Sequence, residues 1–200
     1  GAMDFDYFVR HARRHFEMTS AEYQQRLAAG QRPSALFITC SDSRIVPARI
    51  TGAQPGELFE LRTAGNVVPP YAPDSASGEM ATIEYAVLVL RVPHIVVCGH
   101  SHCGAVTALT TAGAGLDELP ALRSWLSTDR NTGSQGHGGT PPDPGVRQES
   151  KRHLRAQLEA LRTYPFVARR VDTGQLTLHG WFYEIDTGLV FVRGTGEATE

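Results

Sequence analysis

Directly behind the apolar run Leu36-Phe37-Ile38, the stretch Cys40-Ser-Asp42-Ser-Arg44 sets a thiol, a carboxylate and a guanidinium. Far along the chain, behind the apolar run that ends at Cys98, comes His100-Ser-His102-Cys103-Gly104. His100 and Cys103 are three residues apart, about one helical turn, so both side chains can face one point. If the two apolar runs are neighbouring parallel strands, Cys40 emerges beside them. Two cysteines and one histidine converging from two loops form the ligand set of a catalytic zinc whose fourth position stays open. Each piece alone has an ordinary reading. A cysteine at a strand end is commonly a small hydrophobe, His-x-x-Cys is a weak pattern, and Asp42 with Arg44 can be an ion pair that only fixes a turn. The conjunction is what points to a metal. Cys98, inside its apolar run, reads as core.

The elements that must position these residues alternate. Residues 6–30 carry helix-period apolar positions and end at Gly30. Residues 34–40 and 94–100 read as short buried strands, and 57–63 alternates as a strand does. Residues 44–52 read as a loop or a short helix broken by Pro47. Helices are expected over 77–91, 103–113, 117–127 and 146–164, the last ended by Pro165. A Gly- and Pro-rich loop fills 128–145, two strands flank the turn Asp186-Thr-Gly188, and residues 193–200 read as a frayed tail. Strand–helix alternation with wholly apolar strands predicts an α/β fold with a central, mostly parallel sheet flanked by helices.

The chain as a whole is compatible with that picture. Its 200 residues suffice for one domain with a sizeable core. A formal net charge of −2 gives no reason to expect nucleic acid or an anionic membrane. The longest apolar runs are too short to span a bilayer, and no signal peptide opens the chain. Three cysteines, an odd count, argue for a reducing compartment and for metal chemistry over disulfides. The expected location is cytoplasmic. Gly1-Ala2-Met3 reads as a cloning remnant, residues 4–200 as a single domain, and an upstream transporter or other domain stays open.

Cys40-Ser-Asp-Ser-Arg44 followed by His100-Ser-His-Cys-Gly-Ala105 resembles the paired signature of the β-class carbonic anhydrases. The segments at 53–71, 81–87, 94–106, 157–167 and 178–188 resemble family segments in the family's order, so the likeness runs from about Leu27 to Gly188. It implies that Cys40, His100 and Cys103 bind zinc and that Asp42 and Arg44 are the catalytic dyad. It makes Gln31 a substrate-binding amide. Phe59 and Tyr85 become apolar pocket walls, often facing a partner subunit's site, and Ala64 a wall position where plant-like members carry valine. Gly104 would offer a backbone N–H to an anionic oxygen. It further implies a homodimer, or a higher even oligomer, whose N-terminal helical arm packs across the partner.

The implied activity is reversible hydration of carbon dioxide to bicarbonate and a proton, by a zinc-bound hydroxide that Asp42 orients. Zinc brings the pKa of water from about 16 to about 7 in carbonic anhydrases with an all-histidine site. Two thiolates make the present site a weaker Lewis acid, so a hydrogen-bond acceptor beside the metal matters. Two other functions fit the same motifs: hydrolysis of carbon disulfide or carbonyl sulfide, and an inactive zinc-stabilised regulatory module. Thr63, His102 and His153 depart from the family's usual residues. His102 is either a proton shuttle or an exposed loop histidine, and His11, His15 and His137 read as surface histidines. Some members turn the dyad aspartate onto the metal, and those carry tryptophan and glycine where this chain has Phe37 and Thr39. Here Asp42 is therefore expected to pair with Arg44.

Overall fold

Six consecutive apolar or small residues, Ala35–Cys40, form strand β1, which is buried along its whole length. The structure, a computed structural model, describes residues 4–75, 77–110, 115–128 and 144–194. The chain divides into two units, Gly1–Arg32 and Pro33–Glu200.

In the first unit the single helix expected over 6–30 is two. Helix α1 (Phe5–Arg14) tightens into a 3₁₀ turn at His15–Met18, and α2 (Ala21–Ala28) starts afresh. Thr19 and Ser20 are extended, and the Ser20 hydroxyl accepts the Tyr23 N–H as an N-cap. A serine that satisfies an orphan helix N–H favours restarting over continuing. Neither helix buries a residue.

In the second unit β1 is followed by α3 (Pro47–Thr51), β2 (Leu58–Thr63), α4 (Gly78–Glu84) and β3 (His94–His100). Then come α5 (Gly104–Thr110), α6 (Pro120–Ser127), α7 (Pro144–Arg162), α8 (Pro165–Asp172), β4 (Thr177–Tyr183) and β5 (Val190–Gly194). Pro47 opens a helix where a break was expected. Pro165 likewise ends α7 and begins α8, which the sequence reading did not anticipate. Proline has no N–H to lose at a first helical position, and its fixed φ suits it. Helix α4 runs into one wide turn of π geometry at Tyr85–Val89. The expected 128–145 loop, His137 and the tail from 195 on lie outside the described residues, apart from Thr128 and the start of α7.

The sheet order is β2-β1-β3-β4-β5, the first four parallel and β5 antiparallel to β4. The main core lies on one face. Leu36, Ile38, Ile95, Val97 and Leu178 pack there against Ile83 and Val87 of the α4 segment and Leu154, Leu161, Tyr164 and Val167 of α7 and α8. Gly180 lets α7 approach closely, since a Cβ there would stand 3.0 Å from Leu158. A smaller cluster on the sheet contains Phe37, Val96 and Cys98, with Trp181 edge-on to Phe37. From β1 the chain crosses to β2 on one side, while β3 lies on the other. That makes the carboxyl ends of β1 and β3 the switch point where open α/β sheets bind ligands.

Candidate metal centre

Cys40 ends β1 and His100 ends β3, and the strands are paired in register through Thr39 and Cys98. The Thr39 hydroxyl, fully buried, donates to the Cys98 carbonyl at 2.9 Å and ties the two strand ends together. Cys103 follows on the loop before α5. The sulfurs of Cys40 and Cys103 and a ring nitrogen of His100 all lie within 4.8 Å of one another, and all three residues are buried. The expected ligands are thus brought together.

The protonation pattern suits a metal. His100 Nδ1 donates to the Ser101 carbonyl at 2.7 Å, which leaves Nε2 as the free lone pair. That Nε2 is buried without a hydrogen-bond partner, and Asp42 Oδ2 stands 4.0 Å away. A buried polar atom left so needs a partner the protein does not supply. Cys40 is held well below an ordinary thiol, first by a hydrogen bond from Cys103, then against the effect of burial, and further by His100 and the N–H groups of Asp42 and Gly65. Cys103 is pushed up by the same sharing and by burial, although the Val106 and Ala105 N–H groups favour its thiolate. Two thiols sharing one proton is the metal-free counterpart of two thiolates on a cation. The donor set, two soft sulfurs and one imidazole nitrogen, fits zinc. Cys98 is different: fully buried, its thiol is pushed up to about 12 by desolvation, as a core cysteine should be.

Beside the cluster Asp42 and Arg44 form a two-pronged pair, Nε to Oδ1 at 3.0 Å and Nη2 to Oδ2 at 2.7 Å. The Arg44 backbone N–H adds a third bond to Oδ1 at 2.9 Å. These bonds from Arg44 outweigh burial and hold the Asp42 carboxyl at about 2. Arg44 Nη2 also donates to the His102 carbonyl at 3.1 Å, so the two signature loops are tied together. His102 adopts a left-handed conformation (φ 54°) and its Nε2 meets Asp186 Oδ1 at 2.6 Å. Its ring is partly buried and paired with Asp186, not that of an exposed loop histidine.

The remaining expected positions are less decisive. Gly104 opens α5 and is exposed. Ala64 lies just beyond β2, and its carbonyl accepts the Trp125 indole N–H at 2.9 Å. The Phe59 and Tyr85 rings lie 5.9 Å apart, and Tyr85 is 44% exposed. Gln31 belongs to the first unit and is exposed.

Three contributors escaped the sequence reading. Arg62, near the end of β2, donates to the Cys40 carbonyl at 3.0 and 2.8 Å and to the Asp42 carbonyl at 2.8 Å. It clamps the loop that carries ligand and carboxylate. Gly65, left-handed at φ 69°, lies just beyond β2, and a Cβ there would stand 2.9 Å from the Ala105 Cβ of α5. Buried His153 of α7 donates from Nε2 to the Gly65 carbonyl. A charged residue at the carboxyl end of a strand was the signal available for Arg62. Gly65 acts through its backbone conformation and His153 through a partner 88 residues away, which no local pattern marks.

A family model described as carbonic anhydrase matches residues 35–190. Carbonic anhydrase of Pseudomonas aeruginosa is 44% identical over 187 residues, covering 92% of this chain and 84% of its own. Carbonic anhydrase of Synechococcus elongatus is 40% identical over 185 residues, covering 91% and 68%. Among solved structures, the β-carbonic anhydrase CcaA is similar with a TM-score of 0.79 and 34% identity, over 94% of this chain and 85% of that one. A tetrameric β-carbonic anhydrase from Sordaria macrospora is similar with a TM-score of 0.66 and 26% identity, over 98% of each chain.

Proposed function

The chain belongs to the carbonic anhydrase family, in its β class, and on that premise we propose that it hydrates carbon dioxide reversibly at a zinc ion held by Cys40, His100 and Cys103. The observation that carries the metal is the buried, unpartnered Nε2 of His100 facing two cysteine sulfurs. Bound there, zinc supplies a water acidified enough to react at neutral pH.

The rest of the chemistry falls to side chains and backbone of this chain. Asp42 is an obligate acceptor, because Arg44 keeps it ionised far below neutral pH. With Arg44 occupying one edge of the carboxylate, Asp42 can hold the proton of the attacking oxygen and aim its lone pair at the carbon of CO2. Its charge repels bare anions and tolerates bicarbonate, which brings its own proton. The Gly104 N–H and the Gln31 amide would stabilise the negative charge that develops on the CO2 oxygens. Phe59, Ala64 and Tyr85 would form the apolar wall along which CO2 enters.

We further propose an even-numbered homo-oligomer, at least a dimer, in which Phe59 and Tyr85 face the partner's site and the first unit packs across the partner. The unburied apolar side chains of that unit, Phe5 at 73% and Phe16 at 71%, support this. No helix among the described residues is long and apolar enough to cross a membrane, and all three cysteines are free. Both support a cytoplasmic location.

Stopped-flow CO2 hydration with zinc-loaded and zinc-stripped protein tests the proposal. Zinc-dependent turnover is expected. Turnover of carbon disulfide or carbonyl sulfide in preference to CO2, or no turnover by protein of full zinc content, would overturn it.

A further inference from the structure

The strand that ends in His100 also begins in a histidine. His94 opens β3, and His179 stands two positions into β4. The parallel register sets His94 opposite Thr177 and Val96 opposite His179, so both histidines lie on one face of the sheet as diagonal neighbours. Just ahead of them the Thr177 N–H donates to the Pro93 carbonyl at 3.0 Å and closes the ladder. The two rings stand 5.1 Å apart, centre to centre, and His94 Nδ1 meets His179 Nε2 at 3.0 Å. One of these nitrogens carries the shared proton and the other accepts it. His94 is exposed and His179 half-buried, so solvent reaches the pair.

The pair takes no part in the candidate metal centre. His94 and His100 occupy opposite ends of β3, about 20 Å apart at about 3.3 Å per residue. Two nitrogens bonded to one ion at about 2.0–2.1 Å stand about 2.9 Å apart at a right angle and about 3.4 Å apart at the tetrahedral angle. The 3.0 Å between His94 and His179 is close to the right-angled case, which is the cis pair of a tetragonal copper(II) or nickel(II) site. An entering cation needs two lone pairs, and the shared proton frees the second by moving to the other nitrogen of its own ring. Burial first, and then the neighbouring His94, lower the His179 pKa, which keeps that ring neutral and able to ligate. Among the described residues neither ring belongs to an ion pair. No third histidine, cysteine or carboxylate among them joins the pair, so water completes the coordination. Because the strand ladder already holds both ligands in place, little ordering opposes binding.

We propose that His94 and His179 form a second metal site, at the far end of β3 from the first, for a divalent cation of the copper(II) and nickel(II) kind. It shares no residue with Cys40, His100 and Cys103 and stands independently of the zinc reading. A cation there binds only the folded chain, in which β3 and β4 are paired, and so stabilises it.

The full chain, loaded with one equivalent of zinc so that its sulfurs are occupied, is dialysed against nickel(II), and its metal content is measured. Wild type should hold one nickel per chain more than His94→Gln or His179→Gln. That difference is read whatever the Cys40 centre contains. The double variant His11→Gln/His15→Gln, which removes the histidines of the first unit, should keep the extra nickel. With one equivalent of copper(II), electron paramagnetic resonance should show superhyperfine splitting from two nitrogens in wild type, and this signature should be lost in His94→Gln and in His179→Gln. If His179→Gln does not fold, His94→Gln, at an exposed position, decides alone. Equal nickel content in wild type and His94→Gln, or loss of the extra nickel in His11→Gln/His15→Gln, would overturn the proposal. So would a two-nitrogen copper spectrum that survives His94→Gln.

Discussion

Replacing Arg44 with alanine removes two side-chain bonds to Asp42 and the bond to the His102 carbonyl, and leaves the backbone N–H on Oδ1. An Asp42 carboxyl held at about 2 against an ordinary 3.8 corresponds to roughly 2.5 kcal/mol at about 1.36 kcal/mol per tenfold. The guanidinium is half exposed, with 49% of its side chain accessible, so solvent screening reduces this to about 1–2 kcal/mol. The sign follows from the direction of the shift. A depressed carboxyl contributes stability above its unfolded pKa, near 4, and loses it as pH falls toward 2. Wild type should therefore exceed Arg44→Ala by about 1–2 kcal/mol at pH 5, and the gap should close toward pH 2. Activity should suffer more than stability. Asp42 stays ionised at neutral pH without Arg44, but its aim is lost with two charge-assisted bonds. About 2–3 kcal/mol of transition-state stabilisation is at stake, or roughly 30- to 150-fold in kcat/KM. Urea unfolding across pH and stopped-flow hydration at pH 8 measure the two effects. A variant within twofold of wild-type kcat/KM at equal zinc content would refute the role given to the pair.

Cys40→Ser, His100→Ala and Cys103→Ser should each abolish bound zinc and activity together, because three protein ligands leave little redundancy; metal analysis of the purified variants decides. Gly65→Ala should cost at least about 2 kcal/mol, combining about 1–2 for the left-handed backbone with overpacking against Ala105, read from the shift in denaturant midpoint. Arg62→Leu should strip the donors from the Cys40 and Asp42 carbonyls, at about 1–3 kcal/mol. Unlike the ligand variants, it should bind zinc with lowered affinity, which calorimetric titration would show.

The Cys40–His100–Cys103 cluster was legible because its chemistry marks it. Few roles account for two cysteines and a histidine behind two apolar runs, and a parallel sheet brings such strand ends together. The Asp42–Arg44 pair was legible for the same reason, as charge packed against that cluster. What supports them was not. Arg62 is one of many arginines in the sequence, and only the pairing of Thr39 with Arg62 and of Cys40 with Thr63 puts it beside the ligand loop. Trp125 and His153 act on carbonyls of residues far away in the chain, through contacts that no local pattern encodes. Two errors in the fold share one cause. Pro165 was read as ending α7, as it does, and Pro47 as breaking a short helix, but neither was read as starting one, to which a proline is equally suited. The break at Thr19-Ser20 had a visible signal in the serine, but helix-period apolar residues on both sides outweighed it.

The main core contains none of Cys40, His100 and Cys103. Cys40 and Cys103 belong to a small cluster of their own with Val106, while Cys40 and His100 are held in the sheet by pairing with Thr63 and Tyr183. If the proposed zinc reading holds, the chain is expected to keep its fold when the ion is stripped, with His100 still fixed by its bond to Ser101. Restored zinc would then restore activity without refolding. Small zinc modules, by contrast, unfold when the ion leaves.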